Sequence, residues 1–116
     1  MFLFEQFPVY IKAQEFYKRI VISILKQNYI DYTVKDQLNR AALSISLNIA
    51  EGSGRHASGE KRHFYLIARG SVHECVAIIQ TFKNLQTIAP DIYTELYSDL
   101  TDISKMLSGL IKNFEK

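Results

Sequence analysis

The stretch Ala41-Ala42-Leu43-Ser44-Ile45-Ser46-Leu47-Asn48-Ile49-Ala50-Glu51-Gly52-Ser53-Gly54-Arg55 decides how this chain folds. At about 100° per residue, Leu38, Ala42, Ile45 and Ile49 fall on one side of a helix. Leu43, Leu47 and Ala50 fall on another, more than a quarter-turn away, and Arg40, Ser44, Asn48 and Glu51 run between them as a polar stripe. A monomer's surface helix needs one apolar face. Two faces predict a helix buried once in its own domain and again against a neighbour.

Three further segments with helical spacing flank this one. Upstream, Tyr10, Ala13, Tyr17, Ile20 and Ile24 form a core stripe over residues 8–27, and residues 28–32 make the connection. Thr33, three residues before Asp36, reads as a capping box with Asp in place of Glu, so the second helix is expected over 34–53. Gly52 and Gly54 would permit a left-handed exit. Ser58 is the expected N-cap of a third helix reaching to about residue 88, with Glu60 in its first turn. Phe64, Ala68, Ser71, Cys75, Ile78, Phe82 and Leu85 keep a heptad-like spacing there. Ala68, Gly70 and Ser71 are small enough for a partner helix to come close. Pro90 suits the first turn of a fourth helix, whose stripe is Tyr93, Leu96, Leu100, Ile103, Leu107, Leu110 and Phe114. No strand-like alternation competes. Short connections make successive helices antiparallel neighbours, so residues 1–116 are expected to form a single all-α domain, an antiparallel up-down-up-down four-helix bundle. Its expected core holds Ile45, Ile49, Phe64, Cys75, Ile78, Phe82, Leu100, Ile103 and Leu107.

Composition agrees with one folded core. The chain has 116 residues, 47% of them hydrophobic. A net charge of +2 is too small to mark a nucleic-acid binder by itself. The single cysteine, Cys75, excludes an intrachain disulfide and points to a reducing compartment. On an apolar helical face it reads as a buried structural thiol. The apolar start Met1-Phe2-Leu3-Phe4 lacks a basic segment and is interrupted by Glu5, so it does not read as a signal peptide. The apolar run at residues 20–25 is far short of the ~20 residues that span a membrane. A cytoplasmic protein with no membrane partner is expected.

The run Ser44 to Arg55 resembles the signature of the small four-helix-bundle proteins, some of which are encoded inside intervening sequences of large-subunit ribosomal RNA genes. Relatives are accessory proteins (Avd) of diversity-generating retroelements. Phe64-Tyr65-Leu66-Ile67-Ala68-Arg69-Gly70-Ser71-Val72-His73-Glu74 resembles the family's second motif, and Gln37-Leu38-Asn39-Arg40-Ala41-Ala42 its lead-in to the first. The resemblance implies the four-helix fold, a ring-shaped homopentamer, and association with RNA or with a larger nucleic-acid-processing machine. From the residues alone, homo-oligomer formation rests on Leu43, Leu47 and Ala50 of the second helix and on Tyr65, Val72, Val76 and Ile79 of the third.

Charge is distributed unevenly. Lys12, Arg19 and Lys26 recur every seven residues opposite the first core stripe, over ~21 Å of helix. Arg62, Arg69, His73 and Gln80 line the third helix, with Arg55 and His56 in the loop before it, near Lys61. Asp91, Glu95, Asp99 and Asp102 are expected opposite the core of the fourth. From Pro90 onward, five acids face three bases, a balance of −2 that leaves +4 for the preceding residues. One reading makes Lys12, Arg19, Lys26, Arg55, Lys61, Arg62 and Arg69 phosphate contacts for RNA or DNA. Arg69 has a competing use, a pair with Glu51. The other reading makes these faces ordinary solvated surfaces, with the first and fourth helices pairing across their shared edge. The Arg40, Ser44, Asn48, Glu51 stripe likewise reads either as a functional groove or as hydrogen-bonded contacts that fix helix register.

Catalytic chemistry finds no pattern to rest on. Glu60 and His63 form a single Glu-x-x-His, which at a helix start is coincidence rather than a metal site. No phosphate loop, nucleophile elbow or His-x-x-x-His pair is present, so no catalytic residue, metal ligand or cofactor is assigned. The function expected is a non-enzymatic oligomeric module that binds RNA or DNA through basic helix faces. The alternative is a structural or protein-interaction module with no direct nucleic-acid contact.

Overall fold

Every strongly periodic segment of the sequence becomes a helix. The computed structural model describes residues 1–115. A short 3₁₀ turn, Leu3–Gln6, leads into α1 (Pro8–Ile20), α2 (Tyr32–Ser53), α3 (Ser58–Asn84) and α4 (Pro90–Asn113). Each helix packs on the next and α1 also packs on α4, which closes the ring of an antiparallel four-helix bundle. The long dimension of the 45 × 27 × 22 Å body matches the ~40 Å of a 27-residue helix. Among the described residues there is no strand.

The core takes one face of each helix. Val9, Ala13, Phe16, Ile20 and Ile24 come from the first segment, and Leu38, Ala42, Ile45 and Ile49 from α2. Ala68, Val72, Cys75, Ile79 and Phe82 come from α3, and Leu96, Leu100, Ile103 and Leu107 from α4. Two expected core positions move outward. Phe64 and Ile78 are half-buried, whereas Tyr65, Val72 and Ile79 are buried within the subunit. The expected heptad shares Ala68, Cys75 and Phe82 with the observed face but lies about one residue off between them. The reason is position. α3 sits between α2 and α4 and needs a broad apolar arc, so Val72 and Ile79 serve the core while Ser71 faces α2. The extra apolar face expected on α3 is therefore its own core face, and the assignment of Tyr65, Val72 and Ile79 to a subunit interface is corrected on that ground.

The helix ends also differ from expectation. α1 continues as a π-helical turn, Val21–Leu25, in which Lys26 N–H donates to Val21 C=O at 3.2 Å. The N-cap of α2 is Asp31, whose carboxylate accepts from Thr33 N–H at 3.2 Å, rather than Thr33 itself. Ala57, not Ser58, occupies the N-cap position of α3, and no side chain there accepts a capping hydrogen bond. Gly54 ends α2 in a right-handed conformation (φ −84°), so no left-handed exit occurs there. Gly52 instead permits close helix approach, since a Cβ on it would lie 2.8 Å from the Tyr65 ring and 3.1 Å from Phe64 Cβ. The left-handed residue is Gln86, φ 57°, at the end of α3. Thr87 N–H donates to Phe82 C=O and Gln86 N–H to Lys83 C=O, both at 3.0 Å, which is the Schellman pattern.

Candidate nucleic-acid interface

The basic row of α1 faces another helix. Lys12 Nζ lies 3.2 Å from Asp99 Oδ1 and 3.8 Å from Asp102 Oδ2. Arg19 Nη1 lies 3.1 Å from Glu95 Oε2, and its Nε lies 3.1 Å from Asp99 Oδ2. The Nε contact is off the donor axis, so Asp99 Oδ2 gains an ionic neighbour but no aligned hydrogen bond. Asp99 is buried, so this one member of the acidic row of α4 departs from the expected outer face, whereas Asp91 and Glu95 are exposed. Lys12 and Arg19 are correspondingly engaged across a helix seam rather than presented as a free outward row. Helix pairing across the α1–α4 edge accounts for both.

The other five cations do not form one patch. Lys26 is exposed and, among the described residues, has no carboxylate partner, but it lies where α1 hands over to α2. Arg55, Lys61 and Arg62 lie at the opposite end of the bundle, at the α2–α3 turn. There Arg55 pairs with Glu51 at 3.0 Å and with Glu60 at 3.8 Å, and its guanidinium stands 4.7 Å above the Phe64 ring. Lys61 Nζ donates to Ser53 C=O at 3.1 Å and reaches Gly52 C=O at 3.5 Å. A cation on the last carbonyls of α2 also complements the helix dipole. Arg62 keeps a buried Nε with no hydrogen-bond partner among the described residues. Arg69 donates to Ser108 Oγ across the α3–α4 seam at 3.4 Å and does not meet Glu51.

Two members of the polar stripe of α2, Ser44 and Asn48, form a hydrogen-bonded cluster with Ser71 of α3. Ser71 Oγ donates to Ser44 Oγ at 2.8 Å, and Asn48 Nδ2 donates to Ser44 C=O at 2.8 Å and to Ser44 Oγ at 3.0 Å. The Ser71–Ser44 bond ties α3 to α2, and the two Asn48 bonds, both within α2, hold Ser44 in place. Arg40 pairs with Asp36 at 3.0 Å, and that hydrogen bond and charge raise its pKa further. The second apolar face of α2 has no cover of the kind its core face enjoys. Leu43 and Ala50 are half-buried and Leu47 is 60% exposed. Leu47 and Ala50 share a depression with Phe2, Leu3 and Phe4 of the N-terminal turn. Gly70 faces open space within the subunit, so the close helix approach expected there does not occur inside it. Val76, also half-buried, lines a groove of about 650 Å³ between α3 and α4.

Among the described residues, no three His, Cys, Asp or Glu side chains stand together where they could hold a metal ion. No helix among them is long and apolar enough to cross a membrane.

Comparisons with known proteins place this arrangement. The family model described as 23S rRNA-intervening sequence protein matches residues 5–109. The crystal structure of a protein of unknown function from the S23 ribosomal protein family of Bacteroides thetaiotaomicron superposes with a TM-score of 0.84 at 25% identity. The match covers 90% of this chain and 95% of that one. No curated protein matches the chain.

Proposed function

This chain belongs to the 23S rRNA-intervening sequence protein family, and on that premise we propose a non-enzymatic, self-associating module that binds RNA or DNA weakly and without sequence preference. The observation that supports nucleic-acid contact is the concentration of Arg55, Lys61 and Arg62 at one turn of the bundle. Arg55 and Lys61 are steered there by Glu51, Glu60 and the end of α2, but each keeps hydrogens for a phosphate. No base-reading element accompanies them, so backbone contact and shape supply the binding. Assembly repeats the turn once per subunit, and avidity offsets the modest charge of one chain. The exposed Leu47 face supports self-association.

A second reading is favoured by one observation. Lys12 and Arg19 are occupied by Asp99, Glu95 and Asp102, which is what a protein-interaction module with purely structural charges would show. RNA and DNA affinity across a salt series separates the two. Wild type should bind at low salt and weaken steeply as salt rises. Changing Arg55, Lys61 and Arg62 together to Gln, with helicity checked by circular dichroism, should weaken binding at least tenfold. It should also make the log–log salt slope shallower by about 2 for single strands. Binding that is absent at low salt, or unmoved by the triple change, selects the interaction module.

A further inference from the structure

We infer that the end of the bundle opposite the Arg55–Arg62 turn carries a second contact, a cleft at Tyr29 and Lys83 that takes one unpaired nucleobase and its phosphate. The inference rests on the nucleic-acid binding proposed above and adds the strand class, single-stranded RNA or DNA. The cleft, about 640 Å³, opens between the α1–α2 and α3–α4 connections, which antiparallel topology brings to one end. Both of its walls are anchored. Ile30 in one connection and Ile88 in the other are buried in the core. Lys35 Nζ donates to Gln27 C=O at 2.6 Å and ties the first connection to α2. Thr87 Oγ1 donates to Phe82 C=O at 3.0 Å and pins the second to α3. Against this fixed backbone the Tyr29 side chain is left 67% exposed. A tyrosine there offers a broad, flat contact surface at a small cost in side-chain ordering.

The lining is mixed in the way a nucleotide requires. Tyr29 presents a ring on which a base can stack, and every base has a π-face to match it. Ile88, Ala89 and Pro90 supply apolar surface beside it. Lys83 supplies a cation. It is exposed, and its Nζ stands 4.6 Å over the Tyr93 ring, a contact that positions the ammonium while leaving hydrogens for a phosphate. The Gln86 amide both donates and accepts, so it can serve the edge of any base. Among the described residues, no carboxylate lines the cleft. Lys26, three residues before Tyr29, is exposed and gives a neighbouring phosphate a second cation. A wholly apolar protein segment seated here would leave Lys83 and Gln86 without partners, which disfavours it. Bases within a duplex are stacked on one another and cannot reach Tyr29, so the cleft selects an unpaired strand.

Fluorescence anisotropy at low salt tests this, with a labelled oligouridylate and a labelled RNA duplex of the same length as probes. Tyr29→Ala should weaken the single strand about fivefold or more and leave its salt slope unchanged, because stacking releases no counterions. Tyr29→Phe keeps the ring and should restore the affinity. Lys83→Gln should also weaken the single strand, and should make its log–log salt slope shallower by about 0.7. Tyr32→Ala removes an exposed tyrosine that does not line the cleft and serves as the control. Circular dichroism verifies that each variant keeps its helices. Three outcomes overturn the cleft assignment: a Tyr29→Ala affinity within about twofold of wild type, an equal loss on strand and duplex, or a loss in Tyr32→Ala that matches it. Each leaves the proposed function standing if the Arg55, Lys61 and Arg62 triple change still weakens binding. Wild type that binds neither probe overturns both.

Discussion

Lys12 of α1 and Asp99 of α4 meet at 3.2 Å, with the Asp99 side chain only 7% exposed and the Lys12 side chain 26% exposed. The asymmetry matters more than the distance. Asp99 has surrendered its water and depends on Lys12 and Arg19 for compensation, whereas both cations keep partial access to solvent. Losing the anion lets the cations rehydrate, but losing the cations strands the anion. Asp99→Asn should therefore cost about 1 kcal/mol, in the range of solvent-screened pairs. Changing Lys12 and Arg19 together to Met should cost more, towards the low end of the ~3–5 kcal/mol seen when a buried charge loses its partner. Urea denaturation of the two variants measures the ranking. The Met double variant should leave nucleic-acid affinity within about twofold, because both side chains are engaged by carboxylates of α4.

Gly52 against Tyr65 gives a second expectation. The Tyr65 ring is 2% exposed and cannot swing aside, and the Phe64 Cβ at 3.1 Å is fixed to the backbone of α3. Alanine usually stabilises a helix relative to glycine by ~1 kcal/mol. Here overpacking should outweigh that gain, and Gly52→Ala should destabilise by about 1–3 kcal/mol. Gly70→Ala is the control. Its Cβ meets nothing within 4 Å, so the propensity gain should appear undiminished in the isolated subunit. Thermal melts of the two variants should move in opposite directions.

Gln86 closes α3 in the left-handed region at φ 57°, where L side chains crowd the following carbonyl. The bonds from Thr87 and Gln86 back to Phe82 and Lys83 hold it there. Gln86→Gly removes that strain at the cost of a more flexible unfolded chain. A net gain of up to about 1 kcal/mol is expected, read as a higher urea midpoint at unchanged m-value.

The sequence announces the helices plainly and their rotations poorly. Leu38, Ala42, Ile45 and Ile49 on α2 are buried as their spacing requires, because that helix presents a single face to the core. α3 touches α2 and α4 at once, so its apolar residues outnumber a heptad stripe, and spacing alone cannot say that Val72 and Ile79 turn inward while Ser71 meets Ser44. Asp99 was hidden for a related reason. A row of acids at helical spacing has the same period whether it faces water or Lys12 and Arg19 across a helix seam. A clue was present in the matching seven-residue repeat of the bases on α1. The loss of Lys12 and Arg19 from the candidate interface, and the split between Lys26 and the Arg55–Arg62 turn, follow from antiparallel topology rather than from any local pattern. The Schellman turn at Gln86 was illegible because glycine, its usual occupant, is absent there.

Cys75 supplies a reporter for the core of α3. It is fully buried, and that burial, helped by the neighbouring Glu74 charge, pushes its thiol pKa up to about 12. The native thiol is neutral at pH 8 and shielded from reagents, and an aromatic disulfide reagent should modify it only through opening of the bundle. In denaturing urea it should react at the rate of a free peptide thiol. The raised value also fixes a sign. The folded state holds the proton to higher pH than the unfolded state does, so this group's contribution is complete below the unfolded thiol's pKa and is lost as pH rises towards about 12. Within that window the stability difference between wild type and Cys75→Ala should shift against wild type by a slope approaching 1.4 kcal/mol per pH unit. Parallel urea titrations of the two proteins from pH 8 to 10.5 read it directly. Equal pH dependence of the two proteins, or rapid native labelling at pH 8, would place Cys75 outside the core and undo the rotation assigned to α3.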